Sequence, residues 1–461
     1  MIPFDNYSLE QCKYFHFGDK RLDARALNCA NTLIKGHMDE GFPCIFNDQY
    51  ELKAFYRLMN NSKVSPEGFS DGYTIGLKQL LKKISESAPS QVQTFYQFQD
   101  TTYGSYLNRK NLDLGYIENK NDNGLVLHTS LLTDDQFTPI GIANQQFILR
   151  DRSLYQKGHQ RKQRPFEEKE SHKWVEALKW SVSMQQEHNI RIIHVADREA
   201  DMKEFFNYAF DNQLDVIVRV RHDRRVLEED ARLWVHLRDL PEGFLITRQL
   251  LSQDGKPYQA KCEINWTTVQ LRGISAPLHV VYLKQLDELH GGTAAQWAIF
   301  TTQSIATAQQ AEDILDLYTH RWRTCEDFHK CLKSGCSMEQ RQFESSHALT
   351  NCVAILSIAA LHLLRLRHLA TLENQPIEEI LLPEACVVVD HLARKHLKPV
   401  DLKTCKPRTA LWLALLLGRM GGHQGIHQKG LPGWKTLWRG WYDFQKIMDG
   451  IILSKNIFES S

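Results

Sequence analysis

The chain has 461 residues, 42% of them hydrophobic and 24% charged, which provides apolar material for roughly two to four packed domains and excludes a wholly disordered chain. A formal net charge of +1 excludes a uniformly basic nucleic-acid coat, so any polyanion binding has to be local. Ten scattered cysteines without a CxxC pair exclude a zinc ribbon and a small disulfide scaffold, and predict reduced thiols in a cytoplasmic protein.

Residues 1–75 read as helices. Leu22, Ala26, Leu27 and Ala30 recur at helical spacing among charged residues, and a second such pattern runs from Glu51 to Met59. A small helical domain with its own short core is the expectation. Val92 to Phe98 reads as a strand that ends in Gln99 and Asp100. Asn108 to Gly124 is rich in Asn, Asp, Gly and Lys and reads as a loop. Leu125–Leu132, Pro139–Ile142 and Gln146–Leu149 read as further strands, and Glu167–Gln186 as an amphipathic helix. Ile190 to Ala196 is short, apolar and β-branched, a buried strand that stops at Asp197. A helix is expected from Ala200 to Phe210, and a strand from Val216 to Val220 that exits into Arg221–Arg225. Residues 226–290 change texture to strand-like pieces at Phe244–Leu251, Tyr258–Thr267, Thr268–Ile274 and Leu278–Leu283, punctuated at Asp254–Pro257 and Gly291–Gly292. That is the pattern of an antiparallel β insertion. Trp297–Thr302 returns to a buried strand, followed by a long helix from Ile305 through Lys333. The apolar stretch Ala348–Leu364 is broken by Thr350, Asn351 and Ser357, which predicts a buried helix rather than a membrane span. The opening residues do not form a signal peptide, and the C-terminal helices are rich in Trp and interrupted by Gly.

The local charge is concentrated. Arg394 to Arg439 holds ten lysines and arginines against the single acid Asp401, and smaller clusters lie at Arg219–Arg225 and Lys157–Arg164. Separated basic patches suit a polyanion, and they also suit solvated surface. A carboxylate at the C-terminal edge of a central strand lies where open α/β sheets place ligands, although Asp is also a favoured helix cap. If the fold gathers Asp100, Asp197 and Glu326, the three acids repel one another and need cations to stay ionised. Mg2+ takes such oxygen ligands, often together with phosphates. Glu326, Lys330 and Lys333 share a helix face one to two turns beyond Tyr318 and Arg321, which suits either a phosphate-holding helix or a salt-bridged surface helix.

Several of these segments resemble, in order, the signatures of DDE transposases of bacterial cut-and-paste insertion sequences of the insertion-sequence-four type. The segments are FGDKRLDAR (Phe17–Arg25), FYRLMNN (Phe55–Asn61), QDTT (Gln99–Thr102), EEKESHKW (Glu167–Trp174), ADREAD (Ala196–Asp201), YTHRW and EDFHKCLKSG. The resemblance implies an α/β fold: a ribonuclease-H-like mixed-sheet core interrupted by an antiparallel β insertion and flanked by helical N- and C-terminal domains. The implied domains are 1–75 for end binding, 76–225 and 296–370 for the core, 226–295 for the insertion, and 371–461 for dimerisation and DNA contact. It implies catalysis by Asp100, Asp197 and Glu326 through two Mg2+ ions, with Mn2+ as a substitute. DNA contacts are implied for Tyr318, Arg321, Arg323, Lys330, Lys333, Arg219, Arg221, Arg21, Arg25 and Arg57, and base stacking for Trp297, which also suits a core position. The implied partners are double-stranded transposon-end DNA, target DNA and a second copy of the chain, without a membrane or a small-molecule cofactor. The implied setting is the cytoplasm of a bacterium, on the nucleoid.

One departure shapes the site. The family signature places two residues between its tyrosine and arginine, three between arginine and glutamate, and six between glutamate and lysine, whereas here four residues separate Arg321 from Glu326. Counting from Tyr318 puts Cys325 in the acid's place and Leu332 in the lysine's. Counting back from Lys333 restores Glu326 and also matches Phe328, His329 and Lys330. One extra residue turns a helix by about 100° unless a π-bulge absorbs it. The expectation is therefore a π-bulge between Arg321 and Glu326, or a rotated Arg321 replaced by Arg323. A cleavage-impaired end-binding protein and a related structure-specific nuclease are the alternative functions.

Overall fold

The structure is a computed structural model. It describes residues 4–46, 48–87, 90–109, 112–227, 231–251, 257–287, 294–424 and 430–459. The predicted turns at Asp254 and Gly291–Gly292 lie outside the described residues, as do the side chains of Arg161 and Lys162.

Among the described residues, nine strands form one mixed sheet, with helices toward both ends of the chain. The order is β3-β2-β1-β4-β5-β9-β8-β7-β6. The ranges are β1 Gln93–Ser105, β2 Gly124–Thr133, β3 Pro139–Ile148, β4 Ile190–Ala196, β5 Asp215–Arg219, β6 Phe244–Leu251, β7 Pro257–Val269, β8 Leu278–Gln285 and β9 Gln296–Thr301. The chain splits into two compact units, one of Met1–Ile84, Thr101–Gly158 and Glu326–Ser461, the other of Ser85–Asp100 and His159–Cys325.

In the second of these units, β1 and β4 pair in parallel from Gln93↔Ile190 to Phe98↔Val195, and β4 pairs in parallel with β5. β5, β9, β8, β7 and β6 then follow as an antiparallel run. Helices α7 (His172–Glu187) and α8 (Lys203–Asp211) pack on one sheet face through a cluster that includes Trp174, Leu178, Phe205, Phe206, Val216, Val218, Tyr282 and Phe300. Helix α10 (Ala308–Arg321) starts at a capping box. Thr307 Oγ1 accepts the Gln310 N–H, and Gln310 Oε1 accepts the Thr307 N–H. His194 is in the core, its Nε2 3.0 Å from Ser181 Oγ.

Three expectations are corrected here. Asp100 does not end its strand: β1 runs on to Ser105, and Asp100 lies just beyond the last pairing with β4. The two short strands after Pro139 are one, β3, in which an irregular register beside β2 absorbs the break in the apolar pattern. In the insertion, Tyr258–Thr267 and Thr268–Ile274 are not two strands. β7 continues to Val269, because Thr267 and Thr268 keep their pairings with Val280 and His279, and the chain then turns.

In the other unit, α2 (Lys20–Lys35) and α4 (Gln49–Met59) are capped by Asp19 and Asp48, whose side chains accept the N–H of Arg21 and Tyr50. Both rest on α12 (Ser346–Leu369). The N-terminal helices therefore share a core rather than owning one. Asn351 donates to the carbonyls of Met59 and Val64, Tyr73 donates to that of Ala354, and Trp441 donates to that of Ile34. Helix α12 is long and apolar enough to cross a membrane by length and composition, and 94% of its most apolar window is buried inside the protein. Helices α15 (Ala410–Met420) and α16 (Trp434–Glu459) approach closely at Gly421 and Gly440, where a Cβ would fall on Thr436 O and Leu417 O.

Candidate functional site

Parallel register builds the centre of the site. Phe98 lies opposite Val195, so two further steps set Asp100 beside Asp197, on strands spaced about 4.8 Å apart. Asp197 also takes the capping role, accepting the Arg198 N–H at the start of a 3-10 turn that delays α8 until Lys203. One strand further on, Ala196 pairs with Val218, which brings Arg219 beside Asp197.

The C-terminal end of α10 closes over these strands. Arg321 Nη1 is 3.0 Å from Asp100 Oδ1, and both side chains are largely buried. The Arg321 guanidinium also lies 5.8 Å from the ring centre of Tyr318. Burial pushes the Tyr318 phenol up. Asp197 adds to that shift, while Arg321 and Arg219 oppose it. The Arg219 guanidinium lies 5.5 Å from the ring of half-exposed Trp297, which meets Trp322 edge-on at 5.6 Å. Asp100, Asp197, Arg219, Trp297, Tyr318 and Arg321 thus share one cluster. Tyr318 and Arg321 are turned inward to the acids, whereas Arg221 and Arg323 present exposed side chains.

The helix does contain a π-helical turn, at Trp322–Glu326, followed by α11 (Asp327–Lys330) and a second π turn at Cys331–Gly335. Within the first turn Cys325 points into the core, fully buried, with its Sγ donating to Phe98 O at 3.0 Å. Glu326 is half-exposed. It begins the last segment of the other unit, where Lys330 is exposed near Asp327 and Lys333 lies 3.9 Å from Glu339.

The paired carboxylates are hard oxygen donors of the kind a divalent ion takes, so their chemistry fits Mg2+. At Asp100 the Arg321 guanidinium already supplies a cation, which such an ion would share or replace. Among the described residues no group of three or more His, Cys, Asp or Glu side chains is placed to hold a metal ion.

Two residues without an assigned role in the sequence support the frame. Lys173 is buried, 3.2 Å from Glu170 and 3.6 Å from Glu199, and so joins the EEKESHKW and ADREAD segments. Asp201 is buried against the loop after β5. Only the recurrence of acids within ADREAD hinted at either contact.

In the first unit, Arg21, Arg25 and Asn28 line one side of a groove of about 360 Å³ between α2 and α4, with Phe46, Glu51 and Ala54 opposite. Arg57 is exposed on α4. Of the basic C-terminal stretch, Arg419 is bound to Asp401, Arg408 to Glu378 and Asp390, and Arg439 to Asp39. Arg394, Lys395, Lys398, Lys403 and Lys406 are exposed. The helices that carry the groove fall within residues 5–64, which match the transposase DNA-binding family, and that match supports a DNA-binding transposase.

Proposed function

We propose that the chain is a DDE-type cut-and-paste DNA transposase with a ribonuclease-H-like core. It frees transposon ends by way of a hairpin and joins their 3′ ends to target DNA, acting as a homodimer. The observation that carries this reading is Asp100 on β1 and Asp197 directly after the parallel strand β4, beside Arg219, Trp297, Tyr318 and Arg321.

Asp100, Asp197 and Glu326 hold the oxygen donors. Two bound Mg2+ ions would supply an activated attacking oxygen and a stabilised leaving oxygen. Arg219 and Arg221 hold the DNA backbone, and Arg323 does so in place of the inward-turned Arg321. Lys330 and Lys333 extend the contact along the helix. Trp297, propped by Trp322 and Arg219, offers a face on which a flipped base stacks. The α2–α4 groove with Arg21 and Arg25, together with Arg57, binds the transposon end. Water attacks the end phosphorus and the 3′ oxygen leaves as a hydroxyl. That hydroxyl attacks a phosphodiester of the opposite strand and expels the 3′-hydroxyl of the flanking DNA to give the hairpin, a second water attacks the hairpin phosphorus and frees the transposon 3′-hydroxyl again, and that hydroxyl attacks a target phosphodiester and expels the target strand's 3′-hydroxyl.

The buried Arg321–Asp100 pair favours one alternative, an end-binding protein impaired in cleavage. The two are separated by Mg2+-dependent cleavage of labelled DNA carrying the terminal repeat of the encoding element. Cleavage by the wild type and Cys325→Ala, lost in Asp100→Asn, Asp197→Asn and Glu326→Gln, is the expected result. End binding without cleavage in the wild type would establish the alternative, and cleavage surviving Glu326→Gln would remove Glu326 from the site.

A further inference from the structure

Asp201 lies four residues after Asp197, and none of the chemistry above uses it. Its side chain is fully buried and saturated with donors from one loop. Oδ2 accepts the backbone N–H of Arg221 at 2.8 Å and that of His222 at 2.9 Å. Oδ1 accepts Arg224 Nη1, and Arg224 Nη2 donates to the Asp201 carbonyl at 2.7 Å. An aspartate that merely caps a helix bonds the N–H groups of its own first turn. The bonds of Asp201 instead reach across to the segment that leaves β5. They turn the backbone of Arg221 and His222 inward, while both side chains remain exposed. Arg224 is drawn inward with them, so it is a tie of the loop rather than part of its basic surface. The turn opened by Asp197 and the loop begun by Arg219 are thereby fastened to each other.

We propose that Asp201 is a positioning residue: it fixes the Arg221–Arg225 loop so that the Arg219 and Arg221 side chains meet a DNA backbone beside Asp197. The proposal rests on the reading of those two arginines as DNA contacts. Asparagine at 201 keeps the shape and loses the function, since its amide NH2 would face a donor where a carboxylate oxygen now accepts one.

The test uses the full chain and double-stranded DNA of random sequence, with the dissociation constant measured over a series of salt concentrations and thermal unfolding recorded alongside. Each lost phosphate contact lowers the slope of log Kd against log salt by roughly 0.9. Asp201→Asn is expected to bind more weakly and to lose about one to two units of slope, as the double variant Arg219→Gln/Arg221→Gln does. Arg224→Gln keeps both backbone bonds to Asp201, and its slope is expected to fall by less. A folded Asp201→Asn with the wild-type slope, beside a double variant whose slope falls, overturns the proposal alone. An unchanged slope in the double variant overturns the reading of the arginines, and the proposal with it. If Asp201→Asn does not fold, Arg224→Gln decides, and an unchanged slope there overturns the proposal.

Discussion

Arg321 and Asp100 are 221 positions apart in sequence and 3.0 Å apart in the structure. Removing one partner of a buried pair leaves the other charge buried, at a cost of about 3–5 kcal/mol, so it is the one-sided variant that is informative. Arg321→Gln is expected to lower stability in metal-free buffer by about 3 kcal/mol and to recover part of that loss when Mg2+ is added. Urea midpoints with Mg2+ and with a chelator measure both effects, and an equal loss in the two buffers would show that no cation takes over at Asp100. Two core histidines set a second expectation. Burial pushes His194 and His362 down to about 3, and burial lowers His279 and His320 as well. His194 and His362 stay neutral in the fold and gain a proton when unfolded, so their contribution to stability is complete above pH 6.5 and falls as the pH drops from there toward about 3. Each fully buried histidine contributes about 1.4 kcal/mol per pH unit, giving a loss of roughly 2–3 kcal/mol between pH 6 and 5. His194→Gln, which keeps a partner for Ser181, is expected to flatten that slope by about half in urea titrations at the two pH values, and an unchanged slope would mean that His194 is protonated in the native state. The sequence places His194 in an apolar strand, at its core or its edge, and the structure buries it. It does not show the Arg321–Asp100 pair, which exists only because α10 ends above β1.

At the scale of elements, the spacing between Arg321 and Glu326 carries more information than any single residue. One residue too many for a regular helix left two expectations, a π-bulge or a rotated Arg321, and the turn Trp322–Glu326 supplies the first. A π turn fits the surplus residue into one turn, and Tyr318 and Arg321 before it face the acids. Deleting Thr324 is therefore expected to restore a regular helix with Arg321 and Glu326 one turn apart. Under the reading of Glu326 as the third acid, end cleavage should stay within about tenfold of wild type, roughly 1.4 kcal/mol of barrier. Complete loss of cleavage in a folded deletion variant would show that the bulge itself shapes the site. The period-two and helical patterns made the strands and helices around the site legible, because each buries a continuous apolar face. Boundaries were less legible where the pattern is neutral. Thr267 and Thr268 suit a strand interior as well as a turn, and only their partners on β8 show that β7 runs through them.

At the scale of the molecule, residues 5–64 match a DNA-binding family, which invites the picture of a detachable module. The bonds within their unit point the other way. Arg341 is buried and donates to the carbonyls of Met38, Glu40 and Cys336, with its guanidinium 4.5 Å from the ring centre of Phe42. Arg439 binds Asp39 at 2.9 Å, and the bonds from Asn351 and Trp441 fix the ends of α4 and α2. None of this is visible in the sequence, since the donors to the N-terminal helices lie roughly 300 to 400 residues away and those helices show ordinary amphipathic spacing. The apolar faces of α2 and α4 that suggest a private core are the faces that rest on α12. Cut from the chain, residues 1–84 would expose Leu33, Phe55, Leu58 and Met59, all buried in the whole protein, and the carbonyls of Ile34, Met38, Glu40, Met59 and Val64 would lose the hydrogen bonds from Trp441, Arg341 and Asn351. A fragment of this size buries too small a fraction of its surface to absorb that loss. The fragment is therefore expected to show weak, non-cooperative helicity by circular dichroism in a buffer in which the full chain is folded. A cooperatively folded fragment would make the α12 contacts dispensable. In that case Arg341→Ala in the full chain should leave DNA-end affinity unchanged, whereas the shared core predicts that it weakens affinity together with stability.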